Sequence, residues 1–385
     1  MKKLLFLQSE VKNPFALYEI MLKEGAIHWD KENKTWVSYS YDACTTILNS
    51  ADVLIPQIDE KNVHQLNEFA LHIKNGLVRL SNGMQHEITR EITMYLFDGM
   101  KKISIDLTLQ SILSTTTKNN KVDWVDTVCK QLPALVILQS FDFGDEECDL
   151  ILGEIELLKM IMLPHKNKEQ VARINSSAER IFKIIENHIL EVQSGLVSRL
   201  VMKYKLEYND AVFLCISNLI GLLIQSYDGC RGILSNAILR ILKSKEFSEQ
   251  KCMHQEWVEK MVIETLRFDP PFHHTKRIVG KDMVVNNITI KKGASIVVML
   301  AAANRDKKKF NNPNNFSIER HNVNECLTFG MGSHMCLAKH FSIHLATETI
   351  YHFLKMYKTI TLLENDVQYE PVMHARLPKY ITLSF

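Results

Sequence analysis

The segment Phe329-Gly330-Met331-Gly332-Ser333-His334-Met335-Cys336-Leu337-Ala338 sets two glycines just ahead of a cysteine that opens a helical stretch. Glycine adopts backbone angles closed to other residues, so such a loop can aim several main-chain N–H groups at one sulfur. The following helix adds the positive end of its dipole. Both effects favour thiolate over thiol. A thiolate that is held and not consumed suits an axial ligand of haem iron, where it pushes electron density toward O–O cleavage. The plainer alternative for Cys336 is a structural cysteine packed beside a turn, the usual fate of a free cysteine.

Two further spacings carry chemistry. Glu264-Thr265-Leu266-Arg267 puts a carboxylate and a guanidinium three residues apart, on one helix face. Alone, that pattern is most often a solvated surface pair. His86-Glu87-Ile88-Thr89-Arg90 begins like the zinc-protease H-E-x-x-H, but its last position is Arg90, which is not a metal ligand. His86 and Arg90 share a helix face and suit a carboxylate-bearing ligand; an exposed helix face is the bland alternative.

Taken together these segments resemble the cytochromes P450. The run F-G-x-G-x-H-x-C around Cys336 is similar to that family's haem-binding loop, Phe329 and Gly330 included, although the family usually has glycine where Ala338 stands. Glu264 and Arg267 match its E-x-x-R pair, followed by Pro270-Pro271, with Arg320 as a third member of the network. His86 and Arg90 match its H-x-x-x-R. The resemblance implies that His86, Arg90, Arg277 and His334 face the haem propionates, and that Cys336 is the iron ligand. Ala302-Ala303-Asn304-Arg305-Asp306 and Phe316 to Arg320 fit the bacterial branch. The likeness runs from about residue 80 to the C-terminus.

The sequence departs from the family over the iron. The family's central helix carries A-G-x-(D/E)-T; here the aligned run is Gln225-Ser226-Tyr227-Asp228-Gly229-Cys230. The acid is kept as Asp228, but Gly229 has no hydroxyl to relay protons. Gln225, Asp228, Gly229 and Gly232 share one helix face. Either the Gln225 amide sits over the haem, or it turns into a helix contact and Gly229 leaves room for substrate. Water, a substrate hydroxyl, Ser226 or Cys230 could replace the threonine, or the enzyme could use peroxide. Two rivals stand beside the monooxygenase. One is a non-haem metal site on Cys336, His340 and His344, spaced along one helix face. The other is a haem-binding sensor or carrier without turnover.

The elements that must position these residues are mostly helical. Apolar residues recur at helical spacing from Ile181 to Val192, with Gly195 closing the pattern. A long helix starts near the cap Asn209-Asp210 and runs toward Leu242. Another spans Gln255 to about Arg267 and stops before Pro270-Pro271, and a last one spans about Leu337 to Met356. Strand character is confined mainly to Met283–Ile290 and Ser295–Leu300, with Lys291-Lys292-Gly293 as the turn between them, and to short N- and C-terminal strands. Lys309 to Glu325, rich in asparagine, reads as an irregular loop. The expectation is one domain over residues 1–385, mainly α with a small β subdomain.

Composition excludes several classes. In 385 residues, 46 Lys+Arg against 44 Asp+Glu leave a formal +2, with none of the basic excess of a nucleic-acid protein. The eight cysteines, Cys44, Cys129, Cys148, Cys215, Cys230, Cys252, Cys326 and Cys336, form no CxxC pair, which suits a reducing compartment. The N-terminal apolar run is too short for a leader or anchor, and Ala211 to Ile224 is broken by Ser217-Asn218 and falls short of a bilayer span. The expectation is a cytoplasmic protein. The resemblance implies haem b and a small-molecule substrate, oxidised most simply by hydroxylation, as in bacterial secondary metabolism. No flavin or nicotinamide segment fits, so electrons come from a ferredoxin or flavodoxin with its reductase, with Lys339 and Lys307-Lys308-Lys309 as contacts. The pocket is expected from the central helix, from Phe272, His273, His274 and Thr275, and from about 56–85.

Overall fold

The computed structural model describes residues 3–57, 65–163, 166–192, 194–244, 254–364 and 366–385. Cys252 and part of the expected pocket stretch 56–85 lie outside them. In chain order the helices are α1 (Pro14–Glu24), α2 (Tyr41–Asn49), α3 (Glu68–Gly76), α4 (Gly83–Gly99), α5 (Ile105–Thr116), α6 (Leu132–Ser140) and α7 (Asp145–Leu158). They continue as α8 (Lys168–Val192), α9 (Ser194–Tyr204), α10 (Tyr208–Leu242), α11 (Gln255–Phe268), the single turn α12 (Leu300–Ala303) and α13 (Lys339–Met356). The strands are β1 (Ile27–Asp30), β2 (Thr35–Ser38), β3 (Val53–Leu54), β4 (Lys121–Asp123), β5 (Thr275–Val279), β6 (Met283–Val285), β7 (Ile288–Ile290), β8 (Ser295–Val298), β9 (Thr361–Leu362) and β10 (Thr382–Ser384). The chain divides into two compact units.

The first unit comprises residues 1–54, 105–132 and 229–385. Its main sheet has the order β1-β2-β8-β5-β3, with β2 and β8 parallel and the other pairs antiparallel. β4-β10-β9 form a second sheet and β6-β7 a hairpin. Val37, Val297, Tyr18 and Met299 pack on one side of the main sheet, and Ile47, Ile296, Val298 and Phe310 on the other. The expected strand Met283–Ile290 is therefore two strands. Asn286 and Asn287 both hold positive φ, 49° and 64°, which asparagine tolerates and a two-residue hairpin turn demands. Lys291 to Gly293 then leads into β8, which pairs with β2 and β5 and not with the preceding segment. The strand stops at Val298, because Leu300 already begins α12.

The second unit comprises residues 55–104 and 133–228, so α10 contributes its first part here and the rest, from Gly229, to the first unit. α8 starts well ahead of the expected Ile181. Asn209 and Asp210 lie inside the first turn of α10 and do not cap it. Ser217 and Asn218, which read as interruptions of an apolar run, are buried and polar for a reason. The Asn218 amide donates to the Gly76 carbonyl at 2.9 Å, while its oxygen accepts from Val78 N at 3.2 Å and Thr93 Oγ1 at 3.3 Å. This clasp pins the turn that precedes α4. α10 is the one helix among the described residues long and apolar enough to cross a membrane, and most of that apolar window is buried within the protein.

Candidate functional site: a cysteine loop braced by a buried ion pair

In the first unit, Cys336 sits three residues ahead of α13, in a half-buried loop held by its own main chain. Gly330 N donates to Leu327 O at 2.8 Å, Cys336 N to Phe329 O at 2.9 Å and Met335 N to Gly332 O at 3.1 Å. Gly330 and Gly332 have φ of 70° and 73°, the left-handed region that disfavours a side chain. At Gly332 the constraint is also spatial: a Cβ there would stand 2.4 Å from Leu48 O, a main-chain atom of α2. The loop therefore has one path, and α2 forms its wall.

The pair expected on one helix face is the centre of a buried network. Glu264 and Arg267 have no exposed side-chain surface. Arg267 Nη2 and Nε reach the two carboxylate oxygens at 2.6 and 2.9 Å, the forked geometry of the strongest charge-assisted bonds. Arg320 Nε and Ser317 N donate to the same carboxylate at 3.2 and 3.1 Å. Arg267 Nη1 is satisfied by Asn304 O and Pro313 O. Asn304 carries the brace onward: its Oδ1 accepts from Leu327 N at 2.6 Å and its Nδ2 donates to Thr328 Oγ1 at 2.9 Å. The Thr328 hydroxyl closes the circuit on Leu266 O of α11. Sequence reading noted the Asn304 segment but missed this link between the ion pair and the cysteine loop. A buried asparagine after an apolar run was its only signal.

Arg277, on β5, is buried and donates to Thr275 Oγ1 at 2.8 Å and to Lys276 O at 2.9 Å. His334 ends a single helical turn inside the cysteine loop. One thiol sulfur, one guanidinium and one imidazole in this unit form a donor set that fits a thiolate-ligated porphyrin bearing carboxylates. In the second unit, α4 sets His86 and Arg90 one turn apart. His86 is buried, and its Nδ1 donates to Val78 O at 3.2 Å, with Ser81 Oγ 3.4 Å away.

The central helix differs from expectation in detail. The Gln225 amide donates to Gly221 O of its own helix at 3.0 Å. Ser226 Oγ is likewise returned to Leu223 O. Cys230 is buried, with Sγ 3.8 Å from Ser342 Oγ of α13, and burial pushes its thiol up to about 12. Asp228 is bound through both carboxylate oxygens to Lys159 Nζ, at 3.1 and 3.2 Å, and that ammonium also lies over the Tyr227 ring. Lys159 was not anticipated; no local spacing joins it to Asp228.

His273 is fully buried, its Nδ1 2.8 Å from Tyr18 Oη, with Phe15 against its ring. It is a core residue, and the expectation that it touches substrate does not fit that environment. Phe272 lies next to α10: a Cβ at Gly229 would stand 3.8 Å from Phe272 Cε2. The alternative metal set of Cys336, His340 and His344 finds no support, since no metal-holding group of His, Cys, Asp or Glu occurs among the described residues. His344 instead faces Glu348. In the contact run, Lys309 pairs with Glu325, while Lys307 and Lys308 are exposed.

A mostly helical fold with a half-buried cysteine loop tied to a buried Glu–Arg pair is an arrangement that fits a haem-thiolate protein. The Cytochrome P450 family model matches residues 233–382, which contain the brace and the loop. A biotin biosynthesis cytochrome P450 of Bacillus subtilis is 22% identical over 388 residues, 97% of each chain, and a putative cytochrome P450, YjiB, of the same organism is 23% identical over 86% of this chain and 84% of its own. Among solved structures, P450BioI in complex with a hexadec-9Z-enoic acid-ligated acyl carrier protein superposes with a TM-score of 0.80 at 22% identity, over 97% of this chain and 98% of that one. CYP109E1 from Bacillus megaterium in complex with testosterone gives 0.81 at 19% identity, over 97% and 99%. Over residues 233–382 this chain is similar to the cytochromes P450, haem-thiolate monooxygenases that bind haem b, and over nearly its whole length it shares their fold.

Proposed function

We propose that residues 1–385 form a single haem-thiolate domain that hydroxylates a small organic molecule in the bacterial cytoplasm, as part of secondary metabolism. Cys336 is its iron ligand, and His86, Arg90, Arg277 and His334 bind the propionates. Electrons arrive from a separate ferredoxin or flavodoxin with its reductase, docking near Lys339 and the exposed Lys307-Lys308. When bound, the haem supplies dioxygen activation and substrate oxidation, chemistry that belongs to the cofactor. The chain does the rest. The glycine-directed loop holds the Cys336 sulfur; the guanidinium groups of Arg90 and Arg277 offset the carboxylates, which would otherwise be costly to bury. Phe272 and Gly229 shape the space above, and Asp228 is the acid that the central helix keeps.

The observation that carries this reading is the connection of Glu264 and Arg267, through Asn304, to Leu327 and Thr328 at the head of the cysteine loop. The test is the carbon monoxide difference spectrum of the reduced protein beside Cys336→Ser. A strongly red-shifted Soret band in the wild type, absent from the variant, is expected. Haem bound without that band in the wild type sinks the assignment of Cys336.

A second reading is favoured by one pairing. Asp228 is occupied by Lys159, and Gly229 brings no hydroxyl, so a peroxide-driven reaction, which needs less proton delivery, fits the central helix. Product formation with hydrogen peroxide alone, at a rate matching that with an electron donor, distinguishes it. No product in either assay leaves a non-catalytic haem carrier.

A further inference from the structure

Ser217 and Asn218 are buried polar residues in the apolar part of α10, within the second unit. Both reach the end of α3. Ser217 Oγ donates to His72 O at 2.9 Å and Asn218 Nδ2 to Gly76 O at 2.9 Å. Gly76 O is one of the carbonyls that a helix end leaves without an intrahelical donor. The approach is close: a Cβ at Gly76 would stand 2.5 Å from Ser217 Cβ and Oγ. Asn218 then holds the next turn. Its Oδ1 accepts from Val78 N at 3.2 Å and from Thr93 Oγ1 at 3.3 Å. On the other side of Val78, its carbonyl accepts from His86 Nδ1 at 3.2 Å and from Ser81 Oγ at 2.9 Å. Ser81 Oγ in turn lies 3.0 Å from Thr89 Oγ1 of α4. One residue is thus held at both main-chain groups, by the central helix at N–H and by His86 at C=O.

We propose that Asn218 is a positioning residue for His86: from the central helix it fixes the Val78 carbonyl that sets the direction of the His86 ring. This rests on the reading above in which His86 binds a haem propionate. The ring is rigid, and the bond made by one nitrogen decides how the other is presented. With Nδ1 held by Val78 O, Nε2 is the atom assigned to the propionate. The Asn218 amide is itself fully occupied. Its Nδ2 donates to Gly76 O and to Leu214 O at 2.8 Å, and its Oδ1 accepts twice. An amide offers two donors and two acceptor sites, so this one braces and does not serve as a ligand. A network in which every member is satisfied holds a single arrangement. Without Asn218, Val78 N and Gly76 O must find other partners, and the turn shifts to do so. Val78 O moves with it, and the His86 ring follows. A small movement is enough, because a hydrogen bond weakens steeply with angle. Ser217 is the internal control, since its hydroxyl bonds to His72 O and Phe213 O and not to Val78.

The test uses the haem-loaded protein and two readouts that need no turnover: the propionate bending band in its resonance Raman spectrum, and the rate of haem loss to excess apomyoglobin. His86→Phe should shift the band and speed haem loss about tenfold, the worth of one net hydrogen bond. Asn218→Ala should shift the band and speed the loss by about three- to tenfold. Added to His86→Phe, it should change the rate by less than about twofold, because residues acting through one contact are not additive. Ser217→Ala, which loosens the same helix end, should leave both readouts at wild-type values. Should Asn218→Ala lose too much stability to hold haem, Asn218→Ser, which keeps an oxygen on that side chain, takes its place. The idea is overturned if the Asn218 variant leaves band and rate unchanged, if Ser217→Ala moves them as far, or if the Asn218 effect is the same with and without His86. A silent His86→Phe fails the propionate role of His86 and the inference with it. A clear His86→Phe effect beside a silent Asn218 variant fails the role of Asn218 alone.

Discussion

Lys159 and Asp228 are joined at two points, with Nζ 3.1 and 3.2 Å from the two carboxylate oxygens and the ammonium seated on the Tyr227 ring. The lysine comes from the turn after α7 and the aspartate from the middle of α10, so the pair ties two elements of the second unit. It is only partly buried, at 22% and 30% exposure, so Lys159→Met should cost no more than about 1 kcal/mol of stability. Its effect on turnover should be larger than its effect on folding. If Asp228 manages a proton, Asp228→Asn should slow product formation by about 100-fold or more, the usual worth of a general acid or base. Lys159→Met should instead change the fraction of consumed electrons that appears in product. Equal, small losses in both variants, with coupling unchanged, would mean the pair is only a tether.

The brace behind the cysteine loop predicts a different pattern. Removing either member of a fully buried ion pair strands a charge, so Glu264→Ala or Arg267→Ala should cost about 3–5 kcal/mol. Arg267→Lys should fail as well, because a single ammonium cannot serve Glu264, Asn304 O and Pro313 O together. Asn304→Ala removes the link and leaves the pair, at about 1–3 kcal/mol. The informative comparison is denaturant midpoint against the fraction of haem in the thiolate form. Asn304→Ala should lower that fraction more than its stability loss implies; a purely proportional loss would show that Asn304 supports the fold and not the loop.

The two glycines of the loop separate strain from space. Gly330 has φ of 70° with only His334 O as a neighbour, at 3.9 Å, whereas Gly332 has φ of 73° and a main-chain oxygen where a Cβ would go. Gly330→Ala should therefore cost about 1–2 kcal/mol of backbone strain and keep the thiolate spectrum. Gly332→Ala must displace either the loop or α2, and should lose most of the thiolate band. Indistinguishable spectra from the two variants would contradict this assignment of the wall to Leu48.

What the sequence disclosed depended on whether partners were close along the chain. Glu264 with Arg267, His86 with Arg90 and the Gly–Gly–Cys loop are local patterns, and their elements were legible from helical spacing and glycine placement. Asn304, Asn218 and Lys159 act across large separations, and each looked like an ordinary polar residue or an interruption. His273 was misread for the same reason: its partner Tyr18 lies 255 residues away. The β6-β7 hairpin was missed because Asn286-Asn287 gives a turn without glycine, while Lys291 to Gly293 gave the louder signal.

Acid sensitivity follows from the buried histidines. Burial is the first cause holding His188, His273 and His274 below the ordinary imidazole value, with His274 down to about 3. In the unfolded chain each titrates near its ordinary value of about 6.5. The folded state therefore binds fewer protons, and the stability these groups contribute is fully present above that value. It is lost as pH falls from about 6.5 toward the depressed folded values. For His274 the separation of the two values corresponds to a few kcal/mol at most, as an order of magnitude. Denaturant midpoints measured between pH 7.5 and pH 5 should fall steadily in the wild type, and His274→Phe should flatten part of that slope, because phenylalanine keeps the packing and removes the titration. A slope unchanged by His274→Phe would assign the acid lability to other groups, and His188→Phe, which keeps the ring stacked on Phe143, is the next variant to measure.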